Sequence, residues 1–212
     1  MTNEDDMPDC LPRFIRRNAR RRQILEAAQR CVMKAGFHGA SMSEIASEAR
    51  ISVGIIYRHF RCKEDIIAVL VTEETERSER KFLALGHLTV EKLMSAIRID
   101  IQKENLQVYM RQRAAFHLEV LSEASRNEKV LKILRDAETR ERALAIKVCH
   151  QLSPDCDPTR IEAKAEIMTM IFDGIWIRSV VNPRLDLMKV MDGVEQLLTR
   201  LFASDTRKSE IC

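Results

Sequence analysis

The stretch SMSEIASEARISVGIIYRHFRCK, residues 41–63, decides how the chain is read. It opens on Ser41 with Glu44 three residues later. That is the pattern of a capping box, in which a serine hydroxyl and a glutamate carboxylate each satisfy an amide at a helix start. A short helix is predicted over about Met42 to Ala49, followed by a turn at Ile51 and Ser52. Ser52 stands where a cap is needed for a second short helix, Val53 to His59. Phe60-Arg61-Cys62 breaks that helix, and Lys63 opens a long one to about Leu85. Ile45, Ala46, Ala49, Ile51, Ile56 and Phe60 are expected to fill a small core, with Ala46 small where two helices cross closely. The face left over shows Val53, Gly54, Ile55, Tyr57, Arg58 and His59.

Upstream, apolar residues at 24, 25, 28, 32 and 35 have a helical period, so a first helix is predicted from Gln23 to Ala35. Gly36 is its natural C-cap. Three helices in this order, the last two short and joined by a tight turn, have the helix-turn-helix arrangement. Charge agrees with a polyanionic partner for this quarter of the chain. Residues 13–63 hold twelve Lys/Arg against three Glu, a net +9, whereas residues 1–12 are at −4 and the remainder at −2. A phenol, an imidazole and a guanidinium beside a glycine suit a phosphate backbone: the donors reach its oxygens, and glycine lets the main chain approach. Val53 and Ile55 can meet thymine methyls in a major groove.

Beyond Lys63 the pattern is helical throughout. Leu93, Ile97 and Ile101 share a face; Leu106 to Ser125, Asn127 to Leu152 and a helix opened by Asp157-Pro158 and running to Val181 follow. The last helix, about Asp186 to Ala203, spaces Leu187, Met191, Val194, Leu198 and Leu201 as a heptad-like seam. With aromatics at 5% and only 6 Gly and 5 Pro, an all-β fold is excluded and the chain is read as all-α. The longest apolar run, Ile66 to Val71, is too short for a bilayer, and Met1 to Asp9 has no apolar signal core, so a cytoplasmic protein with no membrane partner is expected. Six scattered cysteines make no C-x-x-C pair, and the five histidines have no metal-pair spacing. No hydrolase, metalloprotease, P-loop or dinucleotide motif is found, so neither a catalytic residue, a metal nor a cofactor is expected.

The run Gly36-Phe37, Ser41 to Ala46, Ala49 to Phe60 and Lys63 to Ile66 resembles the DNA-binding domain of the TetR family of bacterial regulators over residues 17–66. The segment Ile171 to Arg178 is similar to the matching part of the betaine-pathway repressors of that family. The resemblance implies a DNA-binding transcriptional regulator, most simply a homodimeric repressor on a palindromic operator of double-stranded DNA, released by a small-molecule effector. A transcriptional activator, or a helical dimer without DNA binding, are the alternatives. It implies residues 1–12 as an acidic disordered tail, 13–65 as the helix-turn-helix domain with a linking helix 63–85, 66–205 as a helical ligand-binding and dimerisation domain, and 206–212 as a tail.

By position, the resemblance assigns DNA contacts to Ser41, Ser43, Val53, Gly54, Ile55, Tyr57, His59 and Lys63. Arg50 departs from the glycine usual in the turn; a left-handed backbone there costs a non-glycine residue about 1–2 kcal/mol, some of it recoverable if its side chain reaches a phosphate. Arg16, Arg17 and Arg20 precede the first predicted helix, where relatives have an arm towards DNA. In the second half, Tyr109, Phe116, His117, Phe172 and Trp176 are the candidate effector-lining residues. The last two helices, with the seam of the final one and Ile167, Ile171 and Ile175 of the one before, are expected to pair with a second copy.

Overall fold

The computed structural model describes residues 13–102 and 106–203, with side chains from 14–102 and 114–203. The described residues form nine α-helices and no strand: α1 Arg13–Gly39, α2 Met42–Glu48, α3 Val53–His59, α4 Lys63–Leu83, α5 Val90–Gln102, α6 Leu106–Ala124, α7 Glu128–Leu152, α8 Pro158–Val181 and α9 Leu187–Ala203. The fold is all-α, as the composition requires. The tails expected at 1–12 and 206–212 lie outside the described residues. No helix among those described is long and apolar enough to cross a membrane.

α1 corrects one expectation. It already includes Arg13, well before the expected start at Gln23, so Arg16, Arg17 and Arg20 to Arg22 are helical. Arginine is a good helix former, and the run is tied locally. Arg22 pairs with Glu26 at 3.0 Å, and Arg20 donates to Gln23 at 2.8 Å. Gly36 does break the helix: its φ of 73° and ψ of 173° are non-helical, and one more turn follows to Gly39.

The chain divides into two compact units. The head runs to Glu74 and takes in Ala115–Arg135; the bundle holds Thr75–Ala114 and the chain from Asp136 onward. Compactness thus groups the end of α6 and the start of α7 with α1–α3.

In the head, Ile24, Leu25, Ala27 and Ala28 of α1 meet Ile45, Ala46 and Ala49, then Ile56, Phe60 and Ile66, all buried. This is the small core expected, with Ile51 packed at its edge. Burying a side chain of that size contributes about 1.5–3 kcal/mol. A second patch joins Val32, Phe37, Ala40 and Ile67 to Phe116, Val120, Ala124 and Val130.

In the bundle, Asp157 caps α8 by accepting the Thr159 amide at 2.9 Å, with Pro158 at the first helical position. The core there holds a second correction. Leu187, Met191, Val194 and Leu198, four of the five seam residues of α9, are buried within their own chain against Met94, Ile161 and Ala165, and Leu201 packs at the margin. The heptad-like spacing marks an intramolecular face. Of the α8 trio, Ile175 is buried, Ile171 packs on the same core, and Ile167 is exposed.

Candidate nucleic-acid interface

The capping box of α2 is complete. The Ser41 hydroxyl accepts the Glu44 amide at 3.2 Å, and the Glu44 carboxylate accepts the Ser41 amide at 2.8 Å. The hydrogen bond from the Ser41 amide, joined by one from its side chain, holds the Glu44 carboxyl below the usual range. Ser43 lies 2.9 Å from Ser41, hydroxyl to hydroxyl, and is exposed. Two hydroxyls therefore stand together at the start of α2.

α2 stops on a Schellman motif. The Arg50 amide donates to the Ser47 carbonyl and the Ile51 amide to the Ala46 carbonyl, each at 3.0 Å. That geometry puts Arg50 at a φ of 54°. The left-handed turn is therefore made without glycine. Gln23 of α1 reaches across to the same corner and donates to the Ala49 carbonyl at 2.6 Å.

α3 is set by the core side of the corner. Ile56 is buried, which turns Val53 (38% exposed) and Tyr57 (55% exposed) outward with Gly54. Ile55 is half-buried. Ser52 has the extended backbone of an N-cap, but its side chain makes no cap bond. Gly54 is informative. A Cβ there would meet only the Ser52 hydroxyl, at 4.0 Å. Nothing in the free chain requires glycine, and glycine in a helix costs about 1 kcal/mol against alanine. The outward side of Gly54 is left open.

At the end of α3, His59 is partly buried. Burial first, then the positive charges of Arg17, Arg21, Arg20 and Arg58, lower its basicity. Arg21 also lies over the Phe60 ring at 5.3 Å. The helical start of α1 thus brings Arg17, with Arg20 and Arg21, to the end of α3. Arg17 is among the expected contacts, but its clustering with His59 is not announced by the sequence, where the arginines stand more than thirty residues before α3.

Lys63, opening α4, does not simply face solvent. Its ammonium donates to the Phe37 carbonyl at 2.6 Å and sits 4.0 Å above the Phe37 ring. An ammonium has three N–H donors, and the Phe37 carbonyl takes one of them.

The effector candidates scatter. Phe116 is in the head core, and His117 of α6 is exposed. Phe172 and Trp176 are half-buried on α8 against the bundle core. Tyr109 lies outside the residues whose side chains are described. Among the thiols, burial pushes Cys149 up to about 12, which makes it unreactive. Among the described residues no three His, Cys, Asp or Glu gather as a metal site.

Comparison with known proteins places this arrangement. The model for bacterial regulatory proteins, tetR family, matches residues 24–70, and that for the C-terminal part of BetI-type transcriptional repressors matches residues 100–203. The transcriptional regulator UidR of Escherichia coli K12 is 29% identical over 119 residues, 55% of this chain and 57% of UidR, so the match spans little more than half of that relative. BetI of Vibrio campbellii is 24% identical over 175 residues, 78% of this chain and 82% of BetI. The structure of Salmonella enterica GusR superposes with a TM-score of 0.68 at 23% identity, covering 87% of this chain and 95% of GusR. The relatives are transcriptional regulators, not enzymes.

Proposed function

Because this chain belongs to the TetR family of transcriptional regulators, we propose that it acts as a homodimeric repressor on a palindromic operator and leaves the DNA when a small-molecule effector binds. The observation that carries the DNA half is the outward face of α3. It sets an exposed valine, tyrosine and glycine above a fully packed core, flanked by the Ser41–Ser43 hydroxyls, Arg50, the Arg17–His59 cluster and Lys63. Phosphate donors surround a short apolar reading edge, which is the division of labour DNA recognition needs.

Dimerisation is supported by α8. Ile167, Met170, Ile177 and Val181 are exposed and recur at helical spacing, with Gly174 in the middle of the row. A Cβ on Gly174 would have nothing within 4 Å, and the same is true of Gly193 on α9, near exposed Leu197. An apolar stripe with open glycines fits a second copy of the same helices. Two recognition helices would then read half-sites about 34 Å apart. Phe172 and Trp176 are the retained effector candidates, in the bundle. A repressor of this kind works where DNA is, in the cytoplasm.

The test is a selection of genome fragments by the purified chain, with sequencing of the retained DNA. The expected result is a palindrome upstream of few operons, and reporter expression that rises when the regulator is deleted. At near-physiological salt, retention of random fragments with no enriched site would overturn the specific-operator reading, and retention of none would overturn DNA binding itself.

A further inference from the structure

Glu123, in the last turn of α6, is a carboxylate only 2% exposed. A buried charge is tolerated only where partners satisfy it. Here one oxygen accepts from Arg126 Nε at 2.9 Å and lies 3.0 Å from His38 Nε2, and the other accepts from Asn127 Nδ2 at 3.0 Å. Its backbone carbonyl takes the amides of Arg126 and Asn127, each at 3.0 Å. The side-chain oxygen of Asn127 caps α7, accepting the Lys129 and Val130 amides at 3.2 and 3.4 Å.

The same asparagine reaches α4. Burial would raise the Glu64 carboxyl, but hydrogen bonds from its own backbone, Cys62 and Asn127, together with the charge of Lys63, hold it below the usual range. On the α1 side, His38 follows Phe37, the residue that seats Lys63 by carbonyl and ring. One turn back along α6, the Glu119 carboxylate lies 3.3 Å from where a Cβ on Gly36 would stand. The end of α1, the start of α4 and the α6–α7 elbow therefore converge on one acid and one amide, all within the head. The exposed pairs of the bundle, such as Arg142 with Glu162 and Glu166, have no such reach.

We propose that Glu123 is a positioning residue for DNA binding: through His38 and Asn127 it fixes the Phe37 seat and the first turn of α4, so that the Lys63 ammonium meets a backbone phosphate. This rests on the DNA-binding reading above. Glu123 never touches DNA and acts through Lys63.

The experiment is a double-mutant cycle. Wild type, Glu123→Gln, Lys63→Met and the double variant are titrated with a labelled random-sequence duplex over a range of salt, at a temperature where circular dichroism shows all four folded. Glu123→Gln is expected to weaken binding about tenfold and to lower the salt slope by about 0.9, the signature of one lost phosphate contact. Lys63→Met does the same, and the double variant is no weaker than Lys63→Met alone. His38→Ala, at a side chain 69% exposed, gives a partial loss of the same kind and carries the cycle if Glu123→Gln does not fold. Wild-type binding by Glu123→Gln, or losses that multiply in the double variant, would overturn the proposal while leaving DNA binding intact. Failure of the wild type to bind any duplex would instead overturn the DNA-binding reading, and this proposal with it.

Discussion

The head and the bundle are both helical, yet they are specified in different ways. The head is written in end-of-helix chemistry: a capping box at Ser41 and Glu44, a Schellman stop at Arg50, a break at Gly36. Each device sets a local angle, and the angles together decide which side of α3 faces out. The bundle is written in period. Its helices are long, and α9 carries a plain apolar seam. Period says that a face is apolar; it does not say what covers it. In α9 the cover is the chain's own core, whereas the exposed apolar row lies on α8.

The largest expected effect separates the two faces of α9. Leu198 is 0% exposed and Leu197 57%. Leu198→Ala should cost about 2–5 kcal/mol in urea unfolding, and Leu197→Ala under about 0.5 kcal/mol at protein concentrations where the chain is monomeric. Equal losses would erase the distinction. On α8, Gly174→Arg should weaken self-association in sedimentation at least tenfold. The monomer should melt no lower, since replacing a mid-helix glycine gains about 1 kcal/mol of helix propensity. Unchanged association would remove α8 from the dimer interface.

In the head, Arg50→Gly should raise stability by about 1 kcal/mol by relieving the left-handed strain, and weaken duplex binding. A lower melting temperature would contradict the first half. The smallest effect is proton linkage at His59. Burial and the four arginines lower its basicity in the folded chain, so the unfolded chain binds the proton more readily. Its contribution to stability is therefore present above the ordinary value of 6.5 and is lost as pH falls through the lowered folded value. A bound phosphate acts in the opposite sense, drawing a proton to the imidazole. Duplex affinity should rise as pH falls from about 8 to about 6, by less than about tenfold per pH unit for a single proton. His59→Gln should flatten that rise, and a flat wild-type profile would exclude the linkage.

What could be read from sequence follows the same division. Ser41, Glu44, Gly36 and the outward residues of α3 were legible because caps and turns act within three or four residues. The helicity of Arg13 to Arg22 was not, because a polar run carries no apolar period to announce it. Phe116 looked like a lining residue, but aromatic spacing cannot tell a core from a cavity, and it lies in the head core. Glu123 gave no signal: its partners come from positions 38, 126 and 127, and only the fold makes them one cluster.

α2 and α3 are seven residues each. An isolated helix shorter than about 12–15 residues is marginal in water. Both therefore depend for their stability on the core that α1 and α4 close around Ile24, Ile45, Ile56 and Ile66. Their amides should exchange with solvent together, through a single opening of the head, and not by fraying one at a time. Competence to read DNA is then all-or-none at the level of a single molecule. A weakened head yields fewer competent molecules in the population, each reading as well as before.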